Sequence, residues 1–211
     1  MEETFRRPRR PTLFGPHALE SYGGVADPAE LAEAAHATAA ALVEAGRGAV
    51  GAEVAQRLVT LMDDLGIDTV AEMWADRPAR SLPGALWRLY ALREWVRVDA
   101  GEAVVDFAAG QEVAHVARVV AGAADPPTPE ALRTLLDAIL GGIFQGDLAV
   151  ALERAGAFCR VVAAGRAYRA DEADEVDPAR ASALTRRSSS LLRTAEDLEA
   201  AAALWRSADL V

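Results

Sequence analysis

Residues 82–98 read LPGALWRLYALREWVRV. On a helix advancing 100° per residue, Leu82, Leu89, Leu92 and Val96 share one face, and Trp87, Ala91, Trp95 and Val98 another. Apolar residues nearly encircle the segment, as expected for a central helix with neighbours on most sides. Ser81 precedes it as an N-cap. A helix of this kind needs other helices to cover it, and the chain supplies them on both sides.

Upstream, Asp27-Pro28 starts a helix that runs to about Ala45 and stops at Gly46. A second is expected over roughly 51–65, ending at Gly66, and a short third over 69–76, capped by Asp68. Downstream, two helices fill about 100–123 with a break near Gly110. The stretch ADPPTPE interrupts the chain, and Thr128-Pro129-Glu130 starts a helix ending at Gly141-Gly142. Another is expected over about 145–169. Asp177-Pro178 starts the last, which reaches about Ser207. The best strand candidate, VVDF at 104–107, is short, and no alternating run flanks a hairpin turn. The class is therefore all-α: a single-domain bundle of about eight or nine helices with little or no strand. Residues 1–26 form a flexible basic, proline-rich arm, 27–169 the bundle core and 170–177 an acidic linker. Residues 178–207 form a long C-terminal helix that packs on the bundle or on a partner chain.

Composition narrows the function classes. Of 211 residues, 52% are hydrophobic, and much of that is alanine, the best helix former and a poor core filler. All 22 basic residues are Arg, Asn is absent, and Ile occurs only at 67, 139 and 143. That bias fits a high-GC bacterial genome, and it makes Arg the default cation rather than a mark of phosphate recognition. A net charge of −10 disfavours a surface given over to nucleic acid or to an anionic membrane. No run of 18 apolar residues is long enough for a bilayer, and the start lacks the apolar stretch of a secretory signal. One cysteine, Cys159, excludes an internal disulfide. A cytoplasmic location is expected.

Arg88, Arg93 and Arg97 are embedded in the apolar helix 82–98, with Arg93 and Arg97 stacked four apart and Tyr90 close to that side. A cation in such a setting needs a partner. Structural salt bridges are one answer. An anion site, in which the arginines and Tyr90 hold a carboxylate or phosphate, is the other.

Glu33-x-x-His36 and Glu112-x-x-His115 repeat the spacing that supplies half of a dinuclear carboxylate site in ferritin-like bundles, which would hold iron, manganese or zinc. Helical phase argues against it. With the core stripe of the first helix on Leu31, Ala35, Thr38, Leu42 and Ala45, Glu33 and His36 face solvent. With that of the sixth on Val113, Ala117 and Val120, Glu112 flanks the stripe and His115 sits nearly opposite. No earlier helix offers the leading Glu. No resident cofactor is expected on the preferred reading.

The last helix carries Leu184, Leu191, Ala195, Leu198, Ala202 and Trp205 at alternating spacings of four and three, with Ser188 in register. That stripe covers the bundle or joins two copies of the chain. The arm RRPRRP (6–11) is the one basic cluster; it is expected to be a solvated tail, with contact to nucleic acid, or to the acidic DEADEVD (171–177) of the same or a neighbouring chain, as the alternatives. Residues 57–74 resemble a helix-turn-helix only superficially, since the second helix is acidic where donors to DNA are needed. Cys159 lies on an apolar stripe with Leu152, Ala155 and Val162, as a buried thiol would. No glycine-rich phosphate loop or nucleophile–base pair is evident. The preferred reading is a non-enzymatic helical interaction or regulatory module, self-associating through Leu184, Leu191, Leu198 and Trp205, with a protein or small anionic partner. A ferritin-like metal protein is the alternative, and weak nucleic-acid contact through the arm a third.

Overall fold

The computed structural model describes residues 27–46, 73–111, 113–122, 128–143 and 147–210. Seven helices lie among them, and no strand. They are α1 (Pro28–Gly46), α2 (Leu82–Val98), α3 (Ala100–Gln111), α4 (His115–Ala121), α5 (Pro129–Ile143), α6 (Leu148–Asp174) and α7 (Pro178–Arg206). The all-α class follows. The count is seven rather than eight or nine among the described residues. The helix expected over 51–65 and most of that over 69–76 lie outside them, as do the arm and the segment resembling a helix-turn-helix.

Local capping chemistry places the helix starts. Asp27 accepts from the Ala29 amide, Ser81 from Gly84, Thr128 from Ala131, Asp147 from Val150 and Asp177 from Arg180. Each satisfies an amide that the helix leaves orphaned. The ends follow burial more than glycine. α5 runs through Gly141-Gly142 to Ile143, which is fully buried. The segment 104–107 is helical, inside α3. The acidic stretch expected as a linker is helical as far as Asp174, and the reversal into α7 is confined to the next three residues, closed by the Val176 and Asp177 amides on the Ala173 carbonyl.

α6 is the axis of the fold. It packs against α7 along most of its length and also meets α3, α4, α5 and α2. Its buried residues include Ala149, Ala151, Ala155, Gly156, Ala157, Ala163 and Gly165 on several sides. Small residues let neighbouring backbones approach closely, and that is why an unremarkable alanine-rich segment holds the centre. α2 lies among α1, α3, α5, α6 and α7, but its second apolar face is incomplete: Trp87 and Trp95 are partly buried and Val98 is 85% exposed.

The closest approach is between α3 and α6. A Cβ on Gly110 would strike the Val161 carbonyl oxygen, and one on Gly165 the Asp106 carbonyl oxygen. Gly110 is buried in this crossing and stays helical; the chain breaks just after it, where the Val113 and Ala114 amides close onto the Gly110 carbonyl. Phe107 stacks on Phe158 across the same contact, centroids 5.5 Å apart.

Candidate docking surface

The C-terminal stripe is consumed within the chain. Leu184 and Leu198 are buried, as are Ala195 and Ala202, and Leu191 and Trp205 pack against the core. Ser188 fits the stripe because its hydroxyl donates across to the Ala163 carbonyl at 2.8 Å. Arg160 and Glu199 close the α6–α7 seam with two bonds of 2.6 Å. The side chains expected to join two copies therefore pack within the bundle of one chain.

The embedded arginines do not converge on one point. Arg93, nearly buried, donates to Asp137 of α5 at 2.7 Å and to Glu94 at 2.9 Å. Arg97 is half-exposed and lies 3.8 Å from Glu94. Arg88 turns the other way, to the Gly84 carbonyl at 2.9 Å and toward Asp197 of α7 at 3.8 Å. Tyr90 is buried and stacks on Trp87. The positive charge that an anion would need is largely taken up by carboxylates of the same chain.

Of the two acid–imidazole couples, Glu112 lies outside the described residues. Glu33 is exposed. The buried stripe of α1 is Ala35, Ala39 and Val43, with Leu31 and Thr38 exposed, so the helix is turned from its expected phase. That turn brings His36 to the edge of the bundle rather than into solvent. Its Nδ1 donates to the Ala32 carbonyl at 2.8 Å, and the ring lines a cavity of about 270 Å³ with Val43, Glu44, Leu82, Trp205 and Leu210. His115 is exposed at the first position of α4. Among the described residues no three His, Cys, Asp or Glu side chains are grouped to hold a metal ion.

The most strongly buried charge is one that the sequence reading did not single out. Asp106 of α3 is inaccessible and faces Arg166 and Arg169 of α6. Arg166 Nε donates to Oδ2 at 2.7 Å. Its Nη2 lies 2.6 Å from the same oxygen but off the hydrogen-bonding direction, so charge alone holds it. The Arg166 guanidinium also covers the Trp95 ring at 5.3 Å. An Asp inside the apolar run VVDF is a signal for a buried partner, and two arginines three apart in α6 are the complement. Cys159 is fully buried, and its thiol is pushed up to about 12 by burial first and by Glu199 second. It is not a nucleophile at neutral pH.

Among the described residues an apolar ridge is left exposed. Of the stripe Val113, Ala117 and Val120, expected to face the core, Ala117 packs against it while Val113 is 67% and Val120 45% exposed; Val116 and Val119 beside them are 79% and 72% exposed. α4 is anchored instead through Ala121, which is buried, and through Arg154, whose Nε donates to the Ala121 carbonyl at 3.3 Å. Gly122 ends the helix in the left-handed conformation, with φ of 74°. Beside the ridge runs a groove of about 520 Å³ lined by Val116, Ala117 and Val120 of α4, Glu153, Ala157 and Arg160 of α6, and Glu199 of α7. Its polar walls are neutralised internally. Glu153 pairs with Arg206, which holds its carboxyl below the usual range, and Arg160 pairs with Glu199.

Comparison with protein-family models, with curated proteins and with solved structures returned no match. None of the described helices is long and apolar enough to cross a membrane.

Proposed function

We propose that this chain is a non-enzymatic helical interaction module of the cytoplasm, and that its docking surface is the α4 valine ridge with the groove beside it. The observation that carries the reading is the ridge: four valines within eight residues, all substantially exposed, along an apolar-floored groove. Contiguous exposed apolar surface rimmed by polar groups is the mark of an interaction site. The rim favours a partner that brings apolar anchors, because each groove-lining charge already has a counter-charge. This surface takes over the role that the C-terminal stripe was expected to play.

Selection of a random peptide library against the full chain, and against its Val116→Glu, Val120→Glu variant, tests this. Peptides with apolar anchors that bind the first and not the second are the expected result. A selection whose binders all ignore the two substitutions overturns it.

A further inference from the structure

We infer that the cavity where α1 and the start of α2 meet the end of α7 binds a linear aliphatic amine with a second hydrogen-bond donor at its far end, held by Glu44 and His36. The cavity shares no lining residue with the valine groove, so it stands or falls apart from that docking surface.

The polar groups of the lining come first. Besides the Trp205 indole, the polar side chains lining the cavity among the described residues are His36 and Glu44, and no arginine is with them. His36 Nδ1 must be the donor in its 2.8 Å bond to the Ala32 carbonyl, because a carbonyl can only accept. In the neutral ring that makes Nε2 an acceptor, and it has no partner among the described residues. Glu44 is exposed and likewise meets no donor among the described residues. Both groups therefore call for donors from outside the chain. A carboxylate beside apolar walls, in a chain of net charge −10, selects a cation and rejects an anion. An ammonium supplies the charge and the hydrogen bond together.

The walls set the body of the ligand. Val43, Leu82, Trp205 and Leu210 present hydrocarbon and an indole face. His36 and Glu44 stand eight residues apart on α1, about 12 Å along its axis. A volume of about 270 Å³ equals about nine waters in the liquid. Spread over that length, it has room for one extended carbon chain with a polar group at each end. The wall at the end of the chain strains the backbone. Ala208 adopts φ of 59°, the left-handed region that alanine rarely enters. The Asp209 amide closes onto the Leu204 carbonyl at 2.9 Å, and the reversal returns Leu210 to a buried position at the side of the cavity. Strain of this kind persists where the surroundings over-determine it, as they do at ligand clamps.

The test titrates the full chain with hexamethylenediamine, with hexylamine and with hexanoate, and follows the methyl signals of Val43, Leu82 and Leu210. The expected result is saturable shifts with the diamine at millimolar concentration, weaker binding of hexylamine and none of hexanoate. Glu44→Gln, at an exposed position, should weaken the diamine by about threefold to fivefold with the amide spectrum of the bundle unchanged. His36→Phe should remove the diamine's advantage over hexylamine. Methyl signals that stay in place throughout overturn the inference. So does hexanoate that binds as well as the amines, because the cavity is then an apolar recess without selection for charge. Diamine binding that ignores both substitutions also overturns it, because the attraction then belongs to the acidic surface as a whole.

Discussion

The carbonyl oxygen of Asp106 occupies the space that a Cβ on Gly165 would need. The same residue's carboxylate meets Arg166, the next residue of α6, and Arg169, one turn further on. Backbone contact and buried charge thus fix the α3–α6 crossing together. Gly165→Ala should destabilise the protein although it raises helix propensity by about 1 kcal/mol, because the atom it meets is backbone and cannot rotate away. Gly101→Ala, where nothing lies within 4 Å, should stabilise by about 0.5–1 kcal/mol. Urea unfolding of the two variants measures both signs.

Asp106→Ala leaves Arg166 buried without its counter-charge. Breaking one side of such a pair costs about 3–5 kcal/mol. The double change Asp106→Ala, Arg166→Met should recover part of that loss, since Arg169, with its side chain 18% exposed, is then the one cation of the cluster left without its carboxylate. Denaturation midpoints of the two single variants and the double variant give the coupling.

Of the five helix-starting caps expected from the sequence, Asp68 lies outside the described residues and Asp27, Ser81, Thr128 and Asp177 are where they were read, because a cap is satisfied within two or three residues of itself. The Asp106 cluster was not legible in the same way. Its partners lie about sixty residues away, and the pairing exists only once α3 crosses α6. The face of α4 was misread for a related reason. Its valines repeat with helical spacing, but periodicity reports that a face is apolar and not which object covers it. The prominence given to 82–98 over 148–174 came from reading side-chain size as centrality. At the axis of this bundle small residues are what the neighbours require.

Inward and outward faces separate cleanly by mutation. Leu198→Ala, at a fully buried position on α7, should cost about 2–5 kcal/mol. Val116→Asp, at an exposed position on α4, should change stability by no more than about 0.5 kcal/mol. Thermal melts that reverse this order would place the α7 stripe outside and the α4 ridge inside.

Cys159 gives a pH signature. Its folded thiol ionises near 12 and an unfolded thiol near 8.5, so the folded state holds the proton more tightly. The stabilisation is present in full below the unfolded value and is lost as pH rises toward the folded one. Relative to Cys159→Ala, the natural chain should lose about 1.4 kcal/mol per pH unit above about pH 9. Below that pH a thiol-disulfide reagent should react only on unfolding.

Glu153 titrates in the opposite sense. Its hydrogen-bonded pairing with Arg206 lowers the folded pKa, so its contribution is present above the ordinary carboxylate range and fades as pH falls through the folded value. The half-exposed geometry keeps the effect small. Arg206→Gln should flatten the acid limb of the melting temperature between pH 5 and pH 3, at about the acidity where free carboxylates titrate.

The alanine-and-glycine spine of α6 also shapes how the protein responds to temperature. Alanine and glycine surrender no rotamers on burial, so ordering such an interior costs little side-chain entropy, while each residue withdraws only a small apolar area from water. Less hydrocarbon is rehydrated on unfolding than in a leucine-filled bundle of equal length. The heat-capacity increment should be correspondingly smaller, and the free-energy dome broader, with cold and heat transitions set further apart.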